Sequence, residues 1–145
     1  MAPDASLLGI LALVLLAAAI GLVLRRRGRE GRLRRLDAQE TLDPAELGAE
    51  RLGETGTIVQ FSTEYCSRCP GVRRVIAELA GERAGLEFVH VDLTHDAALA
   101  KRFAVLQTPT VLLIDREGRP SARLSGTLSR AALSDAIDAL SGGPR

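Results

Sequence analysis

The sequence has few aromatic residues and no excess of charge of either sign. Its 145 residues contain no tryptophan, one tyrosine and three phenylalanines, and the formal net charge is +1. A near-neutral charge does not favour a nucleic-acid partner, and none is expected. The length suits one domain with an accessory segment, and no internal repeat or low-complexity tract is present.

Cysteine is nearly absent as well, since Cys66 and Cys69 are the only two in the chain. At most one disulfide can form within the chain, which excludes a scaffold held together by several bridges. The two cysteines are three positions apart. Their spacing leaves open a working dithiol, half of a metal site, or two neighbouring buried thiols.

Charged, amide and hydroxyl side chains are missing from residues 7–24, LLGILALVLLAAAIGLVL. A helix of this length reaches about 27 Å, enough for a thin hydrocarbon core. A cleaved signal peptide would begin with basic residues, and a helix buried in a core would show one polar face. Residues 1–24 are therefore predicted to form a transmembrane anchor, with residues 7–24 in the lipid bilayer.

Basic residues are concentrated behind the apolar run, where seven arginines lie between residues 25 and 35. Basic flanks stay on the cytoplasmic side of a membrane, so the rest of this single-pass protein is predicted to face the cytosol. A reducing compartment does not favour a permanent structural disulfide. Residues 25–55 are interpreted as a basic flank and a polar linker, with a short helix capped by Asp43 and Pro44.

The segment 56–142 has the pattern of an α/β domain. Apolar, β-branched runs predict strands at 57–61, 86–93, 108–115 and 120–126. Apolar stripes at helical spacing predict helices after the first strand and at the carboxyl end of the chain, with a shorter helix near residue 100. The first two strands should be parallel and the last two antiparallel, which gives a mixed β-sheet flanked by helices.

The cysteine pair falls between a predicted strand and a predicted amphipathic helix. A helix amino terminus carries free N–H groups and a positive partial charge, which lower the pKa of a nearby thiol. Arg68 adds a full positive charge between the two cysteines. On this interpretation Cys66 is the exposed nucleophile, and Cys69 resolves the mixed disulfide.

The order strand, C-x-x-C, helix, strand, helix, Thr-Pro, strand resembles the thioredoxin family. The resemblance depends on QFSTEYCSRCP, FVHVD, QTPTVLLID, REGRP and LSGTLSRAAL. It implies a cis bond at Pro109 beside the dithiol, with Thr108 offering its backbone to an extended substrate. Tyr65, Ser67 and Arg68 would also contact the substrate. The anchor and the Ala/Arg/Leu bias are similar to those of anchored thioredoxin-like proteins from actinobacteria.

The resemblance implies a membrane-anchored thiol–disulfide oxidoreductase that reduces protein disulfides on the cytosolic face. No cofactor is needed, because the sulfurs of Cys66 and Cys69 carry the electrons, but a reductase or thiol donor must restore the dithiol. Gln60 and Phe88 replace the family's buried acid and its lysine partner. Deprotonation of Cys69 therefore needs another route, through water or Glu64.

Three other functions are compatible with the sequence. The domain could lie outside the cytoplasm and serve disulfide handling or cytochrome maturation, although the charge balance argues against that orientation. It could be a redox-silent adaptor with a thioredoxin fold. It could also hold structural zinc between the cysteines, His90 and His95, but the separation of the two pairs exceeds that of a zinc finger.

Overall fold

The structure, a computed structural model, describes residues 4–27, 34–35 and 40–142. The chain divides into two compact units, Met1–Glu30 and Gly31–Arg145. The first unit contains helix α1 (Asp4–Arg27), whose side chains are exposed from residue 9 to residue 21. Among the described residues, no helix combines the length and the hydropathy that crossing a membrane requires.

In its described residues, the second unit has a five-stranded sheet and three α-helices. The strands are β1 (Arg34–Arg35), β2 (Gly56–Ser62), β3 (Leu86–Asp92), β4 (Thr110–Ile114) and β5 (Pro120–Ser125). The helices are α2 (Cys69–Gly81), α3 (Ala97–Arg102) and α4 (Arg130–Gly142), and a 3-10 helix covers Pro44–Leu47. The predicted strands and helices of the domain are therefore confirmed, with boundaries shifted by a few residues.

The order of strands in the sheet is β1-β5-β4-β2-β3. β2 and β3 are parallel because α2 connects them, whereas β4 and β5 are antiparallel because a short turn joins them. This is the mixed sheet that the sequence predicts. All seven residues of β2 are buried, since β2 has a neighbour on each side and helical segments above and below.

Alternate side chains of β2 divide between two cores, one on each face of the sheet. Ile58 packs with the apolar stripes of α2 and α4, in which Ile76 and Ile137 are fully buried. Val59 and Phe61 face the other way and pack with residues from α3 and the 3-10 helix. Because successive side chains of a strand point to opposite faces, the single strand β2 contributes to the centre of both cores.

Part of the predicted linker belongs to the domain. Leu42 and Leu47 keep only 8% and 3% of their surface exposed and join the core around Phe61. The predicted cap is present, because the Asp43 side chain accepts a hydrogen bond from the Ala45 N–H at 2.9 Å. The structure thus differs from a polar linker over 25–55, of which residues 28–33 and 36–39 lie outside the described part.

Gly53 lies where the end of this segment crosses the start of β3. A Cβ atom at this position would lie 2.6 Å from the Glu87 nitrogen and 2.7 Å from the Gly85 oxygen. Both obstacles are backbone atoms, which cannot rotate away. We therefore expect Gly53→Ala to lower the free energy of unfolding by about 1–3 kcal/mol, measured by urea denaturation.

Gly71→Ala is the matched control for this prediction. Gly71 lies in the first turn of α2, and nothing is within 4 Å of its added Cβ atom. Alanine is favoured over glycine in helices by about 1 kcal/mol, so this variant should be unchanged or more stable. If Gly53→Ala is as stable as the control, the backbone around Gly53 must be able to shift and make room for the added Cβ atom.

Candidate functional site

Four strands bring their loops to one end of the sheet. β2 and β3 run in parallel and end side by side, with Ser62 opposite Asp92. β4 begins at the same end, because Thr110 pairs with Phe61, and β5 ends there, because Ser125 pairs with Thr110. Three features therefore meet at this end of the sheet. The cysteines follow β2, the Thr-Pro pair precedes β4, and a loop follows β5.

A tight turn connects β2 to α2 and carries the cysteine pair. The Cys66 N–H donates to the Thr63 carbonyl at 3.1 Å, and the Cys69 N–H donates to the Cys66 carbonyl at 3.1 Å. Cys69 is the first residue of α2, so it lies at the helix amino terminus and Cys66 just before it. Pro70 is in the first turn, where a missing N–H costs no helical bond.

Cys66 and Cys69 form a disulfide, with an S–S distance of 2.06 Å and a Cα–Cα distance of 5.4 Å. The two residues differ in their access to solvent. Cys69 keeps only 4% of its surface exposed, whereas Cys66 is half-buried. A partner can thus reach Cys66 more readily than Cys69.

The Thr-Pro pair lies against the segment that carries the cysteines. The Thr108–Pro109 peptide bond is cis, as the resemblance predicts. Pro109 is buried, and the Thr108 hydroxyl lies 3.4 Å from the hydroxyl of Thr63, whose carbonyl accepts from Cys66. The start of β4 and the turn before α2 are therefore direct neighbours.

The other predicted substrate-contacting residues are on the surface around the disulfide. Ser67 is exposed, and the Arg68 guanidinium donates to the Thr127 hydroxyl at 3.1 Å, which links the motif to the loop after β5. Tyr65 is 83% exposed, and its hydrogen bond to the Glu64 carboxylate raises the pKa of its hydroxyl. Leu106, which the sequence did not single out, is 95% exposed in the loop before Thr108.

Gln60 lies directly below the cysteine pair and is completely buried. Its Nε2 donates to the Cys69 carbonyl at 3.0 Å, whereas its Oε1 has no hydrogen-bond partner among the described residues. The amide positions the first residue of α2 through this bond. It cannot exchange a proton near neutral pH as a carboxylic acid could.

A shallow surface pocket of about 470 Å³ opens beside the disulfide, between α2 and the end of β3. Both cysteines line it, together with Ser62 and His90. The Ser62 hydroxyl and His90 Nε2 are 2.7 Å apart. Burial, followed by the nearby charge of Arg73, lowers the pKa of His90 and so favours its neutral imidazole.

The loop after β3 supports the turn that carries the cysteines. The Thr94 backbone and hydroxyl both donate to the Asp92 carboxylate, and these bonds lower the pKa of Asp92. The Thr94 hydroxyl in turn accepts from the Glu64 N–H at 2.9 Å. In the part of the chain described, no three histidine, cysteine or acidic side chains are grouped to hold a metal ion.

A C-x-x-C disulfide between a central strand and a helix, with a cis-proline before the adjacent antiparallel strand, defines the class of thioredoxin-fold dithiol proteins. A family model for thioredoxin matches residues 49–139, well over half of the chain. The chain therefore belongs to the thioredoxin family. The redox-active disulfide of such proteins is part of the chain, and they need no separate cofactor.

Mycobacterial thioredoxins are among the similar curated proteins. The chain is 34% identical over 77 residues to a thioredoxin of Mycobacterium bovis, covering 52% of this chain and 66% of that protein. It is 32% identical over 79 residues to a thioredoxin of Mycolicibacterium smegmatis, covering 52% of this chain and 70% of that protein. The match thus spans about two thirds of each relative.

Solved structures support the same fold. A mutant thioredoxin from Halobacterium salinarum NRC-1 superposes with a TM-score of 0.56 at 22% identity, covering 63% of this chain and 80% of that one. Oxidised mitochondrial thioredoxin 3 from Saccharomyces cerevisiae gives a TM-score of 0.52 at 21% identity, covering 59% and 78%.

Proposed function

We propose that the chain is a thiol–disulfide oxidoreductase that reduces disulfides in other proteins. The observation that carries this proposal is the Cys66–Cys69 disulfide at the start of α2, with Cys66 accessible and Cys69 buried. A helix amino terminus stabilises a thiolate, and the thiolate is the attacking species in disulfide exchange.

The reaction proceeds through two exchanges that start from the reduced dithiol. The Cys66 thiolate attacks one sulfur of a substrate disulfide, which forms a mixed disulfide and releases the other substrate sulfur as a thiolate. The Cys69 thiolate then attacks Cys66 Sγ and releases the second substrate thiolate. Two electrons pass to the substrate, and a reductase or dithiol donor must reduce Cys66–Cys69 again.

Insulin reduction by the full chain tests this proposal. With dithiothreitol as donor, the protein should accelerate precipitation of the insulin B chain well beyond the rate with dithiothreitol alone. A folded protein that reduces neither insulin nor a small aromatic disulfide at any donor potential would contradict the proposal. That result would favour the redox-silent adaptor.

The substrate surface in this proposal surrounds Cys66. Thr108 and Pro109 border it on the β4 side, Ser67 and Arg68 lie within the motif, and Tyr65 precedes Cys66. The support is the exposed apolar surface of Tyr65 and the contact between Thr108 and the turn before α2. An extended peptide could lie along Thr108 while its disulfide meets Cys66.

Tyr65→Ala should weaken the binding of protein substrates more than the binding of small disulfides. An exposed aromatic beside the nucleophile contributes buried area only when a large partner covers it. We expect KM for insulin to rise about threefold to tenfold, with little change in the rate with a small aromatic disulfide. Equal losses of activity with both substrates would instead mean that Tyr65 helps to position Cys66.

We also propose that residues 7–24 anchor the protein in the bilayer, with the catalytic domain on the cytoplasmic side. The support is the uncharged sequence run and the arginines that follow it, although no helix of the described residues meets the criteria for a membrane span. Anchoring would raise the local concentration of the dithiol near membrane substrates.

Two measurements test the anchor and its orientation. Membrane fractionation should leave the full chain in the bilayer after carbonate washing. In intact cells under reducing conditions, a membrane-impermeant maleimide should not label Cys66 until the membrane is permeabilised. Labelling of intact cells would reverse the orientation and favour disulfide handling or cytochrome maturation outside the cytoplasm.

A further inference from the structure

Below α2, the face of the sheet changes from apolar to polar toward the cysteines. Ile58 in β2 and Phe88 in β3 contribute to the core there. Two residues further along each strand, Gln60 and His90 are partners in register, and the strands end at Ser62 and Asp92. A row of polar side chains thus continues the α2-facing side of β2 and β3 toward the dithiol.

His90 has a defined position within this row. It shares the pocket with Cys66 and Cys69, and its Nε2 is 2.7 Å from the Ser62 hydroxyl. Gln60, its partner across the strands, holds the Cys69 carbonyl but cannot ionise. The imidazole is therefore the group of this row that can gain a proton near neutral pH.

Four other charged groups line the pocket, and each differs from His90 in its setting. Arg73 and Arg74, on α2, carry guanidinium groups, which have donors but no acceptor atom. The two hydrogen bonds from Thr94 stabilise the ionised form of Asp92, which makes this carboxylate a weaker base. Glu64 is exposed, and its carboxylate accepts a hydrogen bond from Tyr65.

We propose that His90, paired with Ser62, accepts the proton of the Cys69 thiol when the mixed disulfide is resolved. This inference rests on the proposed exchange activity and assigns its proton acceptor. The thiol proton crosses the pocket to the imidazole, and the Cys69 thiolate attacks Cys66 Sγ. The Cys66–Cys69 bond forms, the bond from Cys66 to the substrate sulfur breaks, and the leaving thiolate takes the proton from the imidazolium.

The environment of His90 suits this role. Burial and Arg73 disfavour the imidazolium, which favours the neutral form that can accept a proton in this step. A thiolate formed across the pocket attracts the imidazolium and stabilises the ion pair. The two titrations are therefore coupled, and each group should change the pKa of the other.

The resolving step can be measured by stopped flow. The reduced full chain is mixed with the aromatic disulfide 5,5′-dithiobis(2-nitrobenzoate), and release of the second thionitrobenzoate reports the attack of Cys69. In the unmodified protein, the rate should rise with pH and level off near neutrality. In His90→Gln it should fall roughly tenfold to a hundredfold at pH 7 and keep rising toward the ordinary thiol pKa of about 8.5.

His95→Gln is the matched control, because it is the same change at the other histidine of the chain, which is exposed and does not line the pocket. Its pH profile should be that of the unmodified protein. Glu64→Gln tests the competing acceptor and should also leave the profile unchanged. If His90→Gln folds with an unchanged profile, or if Glu64→Gln shifts it instead, the proposal is overturned.

NMR titration tests whether the protonation of His90 is coupled to the redox state of the dithiol. With two histidines in the chain, the imidazole signals can be assigned from the two Gln variants. The midpoint of His90 should be higher in the reduced than in the oxidised protein by about half a unit or more. Equal His90 midpoints in the two redox states would overturn this inference but not the proposed function. If the unmodified protein shows no disulfide exchange at all, the proposed function is overturned as well.

Discussion

Cys66→Ser is expected to abolish disulfide reduction, with a loss of about a thousandfold or more in the rate of insulin reduction. A serine hydroxyl does not ionise near neutral pH and is a far weaker nucleophile than a thiolate. No second cysteine can substitute, because Cys69 keeps only 4% of its surface exposed. The measurement is kcat/KM for insulin, with dithiothreitol as donor.

Cys69→Ser is the matched variant, since the same atom is replaced one turn away. It should retain the first exchange and lose the second, so a mixed disulfide between Cys66 and the substrate should accumulate and be visible as an adduct by mass spectrometry. If Cys66→Ser accumulates the adduct instead, the buried residue is the nucleophile and the two roles are reversed. Adduct in neither variant would mean that the pair does not react with substrates.

The two variants also bear on the role of burial at the site. Both side chains lie at the amino-terminal end of α2, with Cys69 as its first residue and Cys66 three residues before it. Solvent access is the clearest difference between them in this structure. A strong contrast between the variants would therefore support solvent access as the property that assigns the two roles.

The fold of the domain could be predicted because its elements depend on local patterns. The run TIVQF is short, apolar and β-branched, and it forms the buried strand β2. Val72, Ile76 and Leu79 are spaced as one helix face, and all three are buried in α2. The connections then fix strand direction, because a helical crossover gives parallel strands and a short turn gives antiparallel ones.

Two features of the second unit were not predicted, because tertiary packing produces them. Leu42 and Leu47 are isolated leucines in a polar, alanine-rich stretch, and no helical or strand period links them. They are buried because the core around Phe61 and Phe103 is open on that side until they cover it. Strand β1 is a pair of arginines, for which no hydrophobic pattern exists.

The candidate site likewise has features that could be predicted from the sequence and features that could not. The sequence predicted the cysteine pair between strand and helix, and the resemblance implied the cis bond before Pro109. The pocket beside the disulfide was not predicted, because the sequence indicates His90 only as a possible zinc ligand. A usable signal was present: in β2 and β3 every second residue becomes polar toward the cysteines, ending in Gln60, Ser62, His90 and Asp92.

Phe61→Ala is expected to have the largest effect on stability. Phe61 is fully buried in the central strand, with its ring centroid 5.2 Å from that of Phe103. Removing a buried phenylalanine side chain costs about 3–5 kcal/mol, because the lost apolar contacts add to an unfilled cavity. Pulse proteolysis of the full chain across a urea series would measure the loss.

Phe88→Ala is the matched control, since it makes the same change in the neighbouring strand. Phe88 is only half-buried and packs at the margin of the opposite core. Its loss should be smaller, about 1–3 kcal/mol, because less surface returns to water and the cavity opens to solvent. Equal losses for the two variants would contradict the assignment of Phe61 to a closed core.

Activity should separate from stability in Phe61→Ala. Phe61 faces α3 and the 3-10 helix, whereas its neighbours Gln60 and Ser62 face α2 and the dithiol. Well below the unfolding midpoint, insulin reduction by the folded fraction should therefore stay within about twofold of the unmodified rate. A larger drop while the protein remains folded would mean that the core on the far face of β2 sets the position of Cys69, which would extend the site through the central strand.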